Sequence, residues 1–307
     1  MLLEVISVVN YKGGVGKTSV VANLTVGLAM KGYRVLVIDL DPQASLTFSF
    51  VSVSEWANKY KEQRTIKNWY DNYLNSKYMS FKNLFIRDLE VNKYLKVPVT
   101  IVSSHTDLFK VEIELAQGLL GRNRRKEAGN KLATLYLLDD GLESLKKEFD
   151  IILIDCQPSF GIITQSAIVA SDYYLVPTRL DHLSSLGGLT LKGHIEELMK
   201  ESNENIAYFN LPYHPVKTLL MGTVATMVQS NGDELITVNR QYEKSIKEQG
   251  LKYFKTRIRF NQTVMGQESK IPVIVREKTM PVEKKLADEF KDLVNEVIER
   301  MGDLSCQ

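Results

Sequence analysis

The stretch NYKGGVGKTS, residues 10–19, decides how the rest of the chain is read. It follows the apolar run VISVV and precedes SVVANLTVGLAMKG, so a strand, a glycine-rich loop and a helix ending near Gly32 come in that order. Glycines let successive backbone N–H groups turn inward around phosphate oxygens, and the helix that follows adds the positive end of its dipole. The loop therefore reads as a phosphate cradle built by Gly13, Gly14, Val15, Gly16 and Ser19. Lys17 reaches the outer phosphates and the Thr18 hydroxyl sits on Mg2+. The spacing departs from a strict GxxxxGK[ST] pattern, because Tyr11 stands where that pattern has its first glycine. A second lysine, Lys12, precedes the glycines, although a phosphate loop needs only one.

Further along, VLVIDLDPQ ends a strand with Asp39 and Asp41, and DIILIDCQPS ends another with Asp155. Three carboxylates thus gather at the carboxyl edge of one sheet, which is where ligands bind in open α/β folds. Asp155 alone would fit a helix or turn cap equally well; beside a phosphate loop, the three acids point to Mg2+. That ion keeps several waters, so some of the carboxylates act through water. The runs VISVV, RVLVID, VTIVSS, DIILID, DYYLVP and LLMGTVATMV recur with helix-length segments between them. Uninterrupted apolar strands of this kind are buried on both faces, which predicts a doubly wound, mostly parallel α/β sheet with helices on both sides. No linker or solenoid repeat interrupts the chain, so residues 1–307 are expected to form a single domain.

Two segments stand apart from this alternation. Residues 52–96, rich in Trp, Tyr, Lys and Asn, read as an inserted helical segment whose aromatics pack inward, although interleaved bases and aromatics also suit nucleic acid. Residues 282–301 place Val282, Leu286, Phe290, Leu293, Val297 and Met301 at helical spacing, with Glu283, Asp288, Glu289, Asp292, Glu296 and Glu299 on the polar face. A docked terminal helix is expected there, because a membrane-surface helix would be basic.

The chain has 39 basic and 37 acidic residues and a net charge of +2, so binding to a polyanion must come from a local patch. The densest one is LKYFKTRIRF, where alternate spacing puts Lys255, Arg257 and Arg259 on one strand face, with Lys252 just before them. A second, Arg122, Arg124, Arg125 and Lys126, is expected in a solvated loop. Cys156 and Cys306 form no metal or disulfide spacing, and the four histidines, at 105, 182, 194 and 214, fall in unrelated contexts. With no basic leader at the N-terminus and no run of membrane-spanning length, a soluble cytoplasmic protein is expected.

KGGVGKT with its leading lysine, DLDPQ, DIILIDCQPS and VPTRLD followed by GGL resemble the deviant Walker A ATPases of the ParA and MinD superfamily, of P-loop NTPase type. VTIVSSHTDLFKVEIELA and GTVATMV resemble ParA most. The resemblance implies ATP and Mg2+ as ligands, ATP hydrolysis, and a homodimer closed by ATP. In it, Lys12 contacts the phosphates of the other subunit while Lys17 serves its own. Asp41 matches the residue that positions the attacking water, Thr18 the direct Mg2+ ligand, and Asp39 and Asp155 the supporting acids.

A ParA likeness further implies non-specific DNA binding, a nucleoid-associated location and a ParB-like DNA-bound partner that stimulates hydrolysis in plasmid or chromosome segregation. A MinD-like membrane-associated ATPase and a nucleotide-gated scaffold with little turnover are the alternatives. Several features depart from the family. Gln157 replaces a proline, Met265 and Gly266 replace a Glu-Ala pair near the adenine, and Asn231 and Gly232 stand where a second DNA-binding arginine is usual. Arg259 aligns with the first. An iron–sulfur role lacks the cysteines, since Cys156 stands alone beside the acid.

Overall fold

A computed structural model describes residues 3–231, 234–235, 237–248, 252–261, 270–276 and 281–305. Seven strands form one sheet: β1 (Glu4–Val8), β2 (Val35–Asp39), β3 (Thr100–Val102), β4 (Ile151–Asp155), β5 (Tyr173–Arg179), β6 (Leu219–Val228) and β9 (Tyr253–Arg259). Their order is β3-β2-β4-β1-β5-β6-β9, and every pair is parallel. Between the last two lies a short antiparallel hairpin, β7 (Ser230–Asn231) with β8 (Glu234–Leu235). The expected doubly wound sheet is the observed one.

Alternation along the strands divides the core in two. Ile6, Val8, Val35, Val37, Ile151 and Leu153 face one layer, while Val5, Val9, Leu36, Ile38, Ile152 and Ile154 face the other. The side-chain period of two therefore fills both faces from one continuous apolar run. The first layer holds α1 (Lys17–Met30), α2 (Ser45–Phe48) and the terminal α11 (Pro281–Ser305). The second holds α4 (Ile66–Leu74), α5 (Leu108–Gln117), α6 (Arg124–Leu135), α7 (Leu137–Glu143), α8 (Ile162–Val169) and α9 (His182–Phe209). The one-turn α3 (Val53–Glu55) opens residues 52–96, and α10 (Thr237–Glu248) precedes β9.

Residues 52–96 wrap the β3 edge and feed both layers. Trp56 and Tyr60 enter the first, and Trp69 and Tyr70 the second, where Trp69 meets Phe81 edge-on with centroids 5.2 Å apart. Ile86 and Ile101 exchange backbone hydrogen bonds of 2.9 and 3.0 Å, so the segment pairs with the open edge of β3 instead of leaving it bare. The segment mixes α3 and α4 with a π turn and two 3-10 turns.

At the opposite edge, α11 lays Leu286, Phe290, Leu293, Val297 and Met301 into the core. Its acids have a structural use: the Glu296 carboxylate accepts from the N–H groups of Lys255 and Thr256 at 2.9 and 3.0 Å, and Glu289 from that of Arg259 at 3.0 Å. Those donors of an edge strand would otherwise lack partners. The expected basic loop at Arg122 is instead a helix start. Asn123 caps α6 by accepting from the Lys126 N–H at 3.0 Å, so Arg124, Arg125 and Lys126 sit on its exposed first turn.

Gly27 marks the closest approach of α1 and α11. A Cβ there would lie 2.4 Å from Val294 Cγ2 and 2.8 Å from Ile274 Cδ1. Gly27→Val is expected to lower stability by about 1–3 kcal/mol through overpacking, read as a reduced urea midpoint with unchanged slope.

Candidate nucleotide and metal site

The carboxyl ends of β1, β2, β4 and β5 meet the start of α1, as the sequence leads one to expect. Gly14 and Gly16 take left-handed φ values of 68° and 81°, which glycine adopts without Cβ strain. Gly16 is the N-cap residue of α1, and no atom lies within 4 Å of where a Cβ would stand on Gly13 or Gly14, so the cradle is open. Lys17 is buried, with Nζ 3.3 Å from the carbonyl oxygens of Asn10 and of Lys12. Thr18 donates from Oγ1 to Asp155 Oδ2 at 2.8 Å. Ser19 lies one residue further into the helix, half-buried.

Asp39 and Asp155 are register partners on adjacent strands, and both are buried. Asp39 Oδ1 accepts from the Asp41 N–H at 3.0 Å, while Oδ2 accepts from the Thr47 N–H and hydroxyl at 2.8 and 2.7 Å. Burial pushes the Asp39 carboxyl up to about 7, with those hydrogen bonds opposing. Asp155 is raised well above the ordinary carboxylate range, first by burial and then by neighbouring Asp39. Lys17 is lowered by burial, with Asp155 and Asp41 opposing. Asp155 Oδ1 is buried without a hydrogen-bond partner, an acceptor to spare beside Thr18. These residues suit a hydrated Mg2+ beside phosphates. The three acids do not close a cage, and among the described residues no group of three or more His, Cys, Asp or Glu could hold a metal, so the ion would lean on phosphate oxygens and water.

Asp41 lies just past β2, half-buried, and its Oδ1 accepts from the Gln43 N–H at 2.9 Å. Its carbonyl is held by the Ser104 hydroxyl at 2.7 Å, and the Ser104 N–H reaches Thr47 Oγ1 at 2.9 Å. Thr47 and Ser104, which sequence reasoning missed, thus tie the ends of β2 and β3 to the acids. A hydroxyl that matters through its backbone partners leaves no spacing to find.

Lys12 leaves its own cradle. Its Nζ lies 2.9 Å from Asp181 Oδ2 and 3.2 Å from Ser184 Oγ, at the start of α9. Burial tends to raise Asp181, but hydrogen bonds from Lys12 and Ser184 outweigh it and lower its pKa. VPTRLD pointed to this segment without assigning Asp181 a part. Thr226 Oγ1 lies 2.6 Å from the Val15 carbonyl, and Met227, at φ 53°, brings Cε to 3.4 Å from a Cβ built on Gly16. The Thr-Met end of β6 therefore braces the loop. Gln157, where the family has proline, donates from Nε2 to Glu112 Oε2 at 2.8 Å on α5.

Two bases of the β9 row are engaged within the chain. Arg257 pairs with Glu243 of α10, Nη2 to Oε1 2.8 Å, and Arg259 with Glu289 of α11, Nε to Oε1 2.6 Å. Each guanidinium found a carboxylate on a neighbouring helix, leaving Lys252 and Lys255 exposed. Met265, Gly266, Gly232 and Cys306 lie outside the described residues, as does the Val282 side chain.

The raised Asp39 carboxyl has a consequence for pH dependence. A carboxyl that keeps its proton to about pH 7 when folded and loses it near pH 4 when unfolded makes the folded chain bind the extra proton between those limits. Stability from this group is therefore lost as pH rises through that window. The melting temperature without nucleotide is expected to fall between about pH 5.5 and 7.5, and to fall less in Asp39→Asn.

Residues 3–208 match the AAA domain family. An uncharacterized protein of Methanocaldococcus jannaschii is 34% identical over 207 residues, covering 66% of this chain and 69% of that one. The chromosome partitioning protein ParA of Myxococcus xanthus is 29% identical over 198 residues, covering 64% and 59%. Among solved structures, Cyanothece apo McdA superposes with a TM-score of 0.71 at 18% identity, covering 97% and 99%. With the phosphate loop, its lysines and the edge acids in place, the chain belongs to the AAA domain family and to the ParA/MinD family of P-loop ATPases.

Proposed function

We propose that this ATPase partitions DNA: ATP closes a homodimer, the dimer holds DNA without sequence preference, and a DNA-bound, ParB-like partner stimulates the hydrolysis that releases it. The observation that carries the proposal is Lys12, whose ammonium rests on Asp181 and Ser184, outside the cradle that Lys17 serves. A lysine so placed can swing to the triphosphate of a second copy. Two cations from two chains then share the outer phosphate, and its loss removes part of what holds the dimer. Thr18 would hold Mg2+ directly, with Asp39 and Asp155 acting through water. When bound, the ion neutralises charge developing on the phosphates. Asp41, its carbonyl fixed by Ser104, would orient the attacking water.

The likeness to McdA favours a second reading, a positioning ATPase that works on another cargo. A MinD-like membrane anchor fits less well. The apolar face of α11 is committed to the core, two of its acids bond the β9 edge, and no helix among the described residues is long and apolar enough to cross a membrane.

Asp41→Ala is expected to slow single-turnover ATP hydrolysis roughly 100-fold or more while keeping ATP-dependent duplex binding. Lys12→Ala is expected to lose that binding. Equal DNA affinity in ATP, ADP and no nucleotide would remove the proposed cycle.

A further inference from the structure

If partition is the function, DNA needs a face, and the two arginines of the β9 row are neutralised within the chain. Residues 52–96 carry nine basic side chains against five acidic ones, a net +4 in a chain whose total is +2. Outside this segment the chain is net negative. Within it, a cavity of about 710 Å3 opens beside the β3 edge, lined by the bases Arg64, Lys82 and Arg87, one acid, Glu62, and amides such as Asn68 and Asn72. A second cavity, about 230 Å3, shares Asn68 and Asn72 with it and adds Lys77 and Asp71, whose carboxylate is paired with Lys67.

We propose that this continuous basic and amide-lined groove, and not the β9 row, is the main surface that grips the phosphate backbone of duplex DNA. Arg64 and Lys77 are exposed, and among the described residues their side chains make no ion pair. Lys82 and Arg87 share the single carboxylate of Glu148, which leaves excess positive charge. Asn and Gln side chains are common phosphate partners. Trp56, Tyr60, Trp69 and Tyr70 are buried in the core, so they cannot stack on bases. The exposed rings of the segment, Tyr73, Tyr78 and Tyr94, do not line either cavity, so the groove is a phosphate-reading surface, independent of sequence.

The groove also adjoins the nucleotide site. The Ser103 hydroxyl donates to the Arg64 carbonyl at 2.9 Å, and the next residue, Ser104, holds the Asp41 carbonyl at 2.7 Å. A change at Asp41 on ATP binding thus has a two-residue path to the groove wall.

The test is binding of full-length protein with ATP to a short mixed-sequence DNA duplex between ~50 and ~200 mM salt. Arg64→Ala with Lys77→Ala, both at exposed positions, is expected to weaken binding about tenfold or more at the higher salt and to reduce the slope of log affinity against log salt by roughly 1–2. Lys255→Ala is expected to change either quantity less, and Tyr78→Ala to leave both unchanged. Thermal melts check that each variant folds. Wild-type affinity and slope in the groove variants, with a loss in Lys255→Ala, would overturn the assignment while leaving partition intact. A larger loss in Tyr78→Ala than in the cation variants would replace phosphate contact by stacking on unpaired bases. Failure of the wild-type chain to bind duplex, with capture by anionic lipid vesicles instead, would remove both the groove and the partition function on which it rests.

Discussion

Two carboxylates, Asp39 and Asp155, stand side by side on adjacent strands, both buried. Burying even one ionised carboxylate is costly, and burying two next to each other costs more, unless a cation, a proton or strong donors compensate. Much of the site can be understood as the means of compensation. Thr47 gives Asp39 two donors, Thr18 gives Asp155 one, and Lys17 lies close enough to act on Asp155. Their raised pKa values mark a site poised for a divalent cation, whose charge would favour the ionised forms.

The surroundings of that pair explain why the site is assembled from so many elements. Helix α1 delivers Lys17 and Thr18 by its first turn, the β2 and β4 ends deliver the acids, and β3 and β6 contribute bracing hydroxyls from Ser104 and Thr226. Each brace ends on a backbone carbonyl, of Asp41 or of Val15. Side chains can then vary while loop positions stay fixed. Lys12 differs because its ammonium is held by Asp181 and Ser184 at the start of α9 and not by the buried acids.

Electrostatics also organises the two sheet edges, in opposite ways. At β9, acids of α10 and α11 meet the arginines and the free N–H groups, so charge is spent on docking helices. At β3, residues 52–96 pair with the edge and bury Trp56, Tyr60, Trp69, Tyr70 and Phe81, leaving much of the basic charge in solvent. A chain of nearly zero net charge thereby acquires a polar distribution across the width of its sheet.

The order of strand, glycine loop and helix, and the apolar runs that recur after it, determined the doubly wound fold before any coordinates, because period-two burial on both faces leaves few other arrangements. The same local order located Lys17, Thr18, Asp39, Asp41 and Asp155 at one edge. Tertiary structure alone decided which side chains those residues meet. Nothing in the spacing told that Asp181 would hold Lys12 across 169 positions, that Ser104 would hold Asp41 across 63, or that Glu243 and Glu289 would neutralise a row of bases that alternation had put on one face. Hydrogen bonds and ion pairs between distant segments depend on how helices settle against the sheet, and that is fixed by packing, which a linear pattern does not encode.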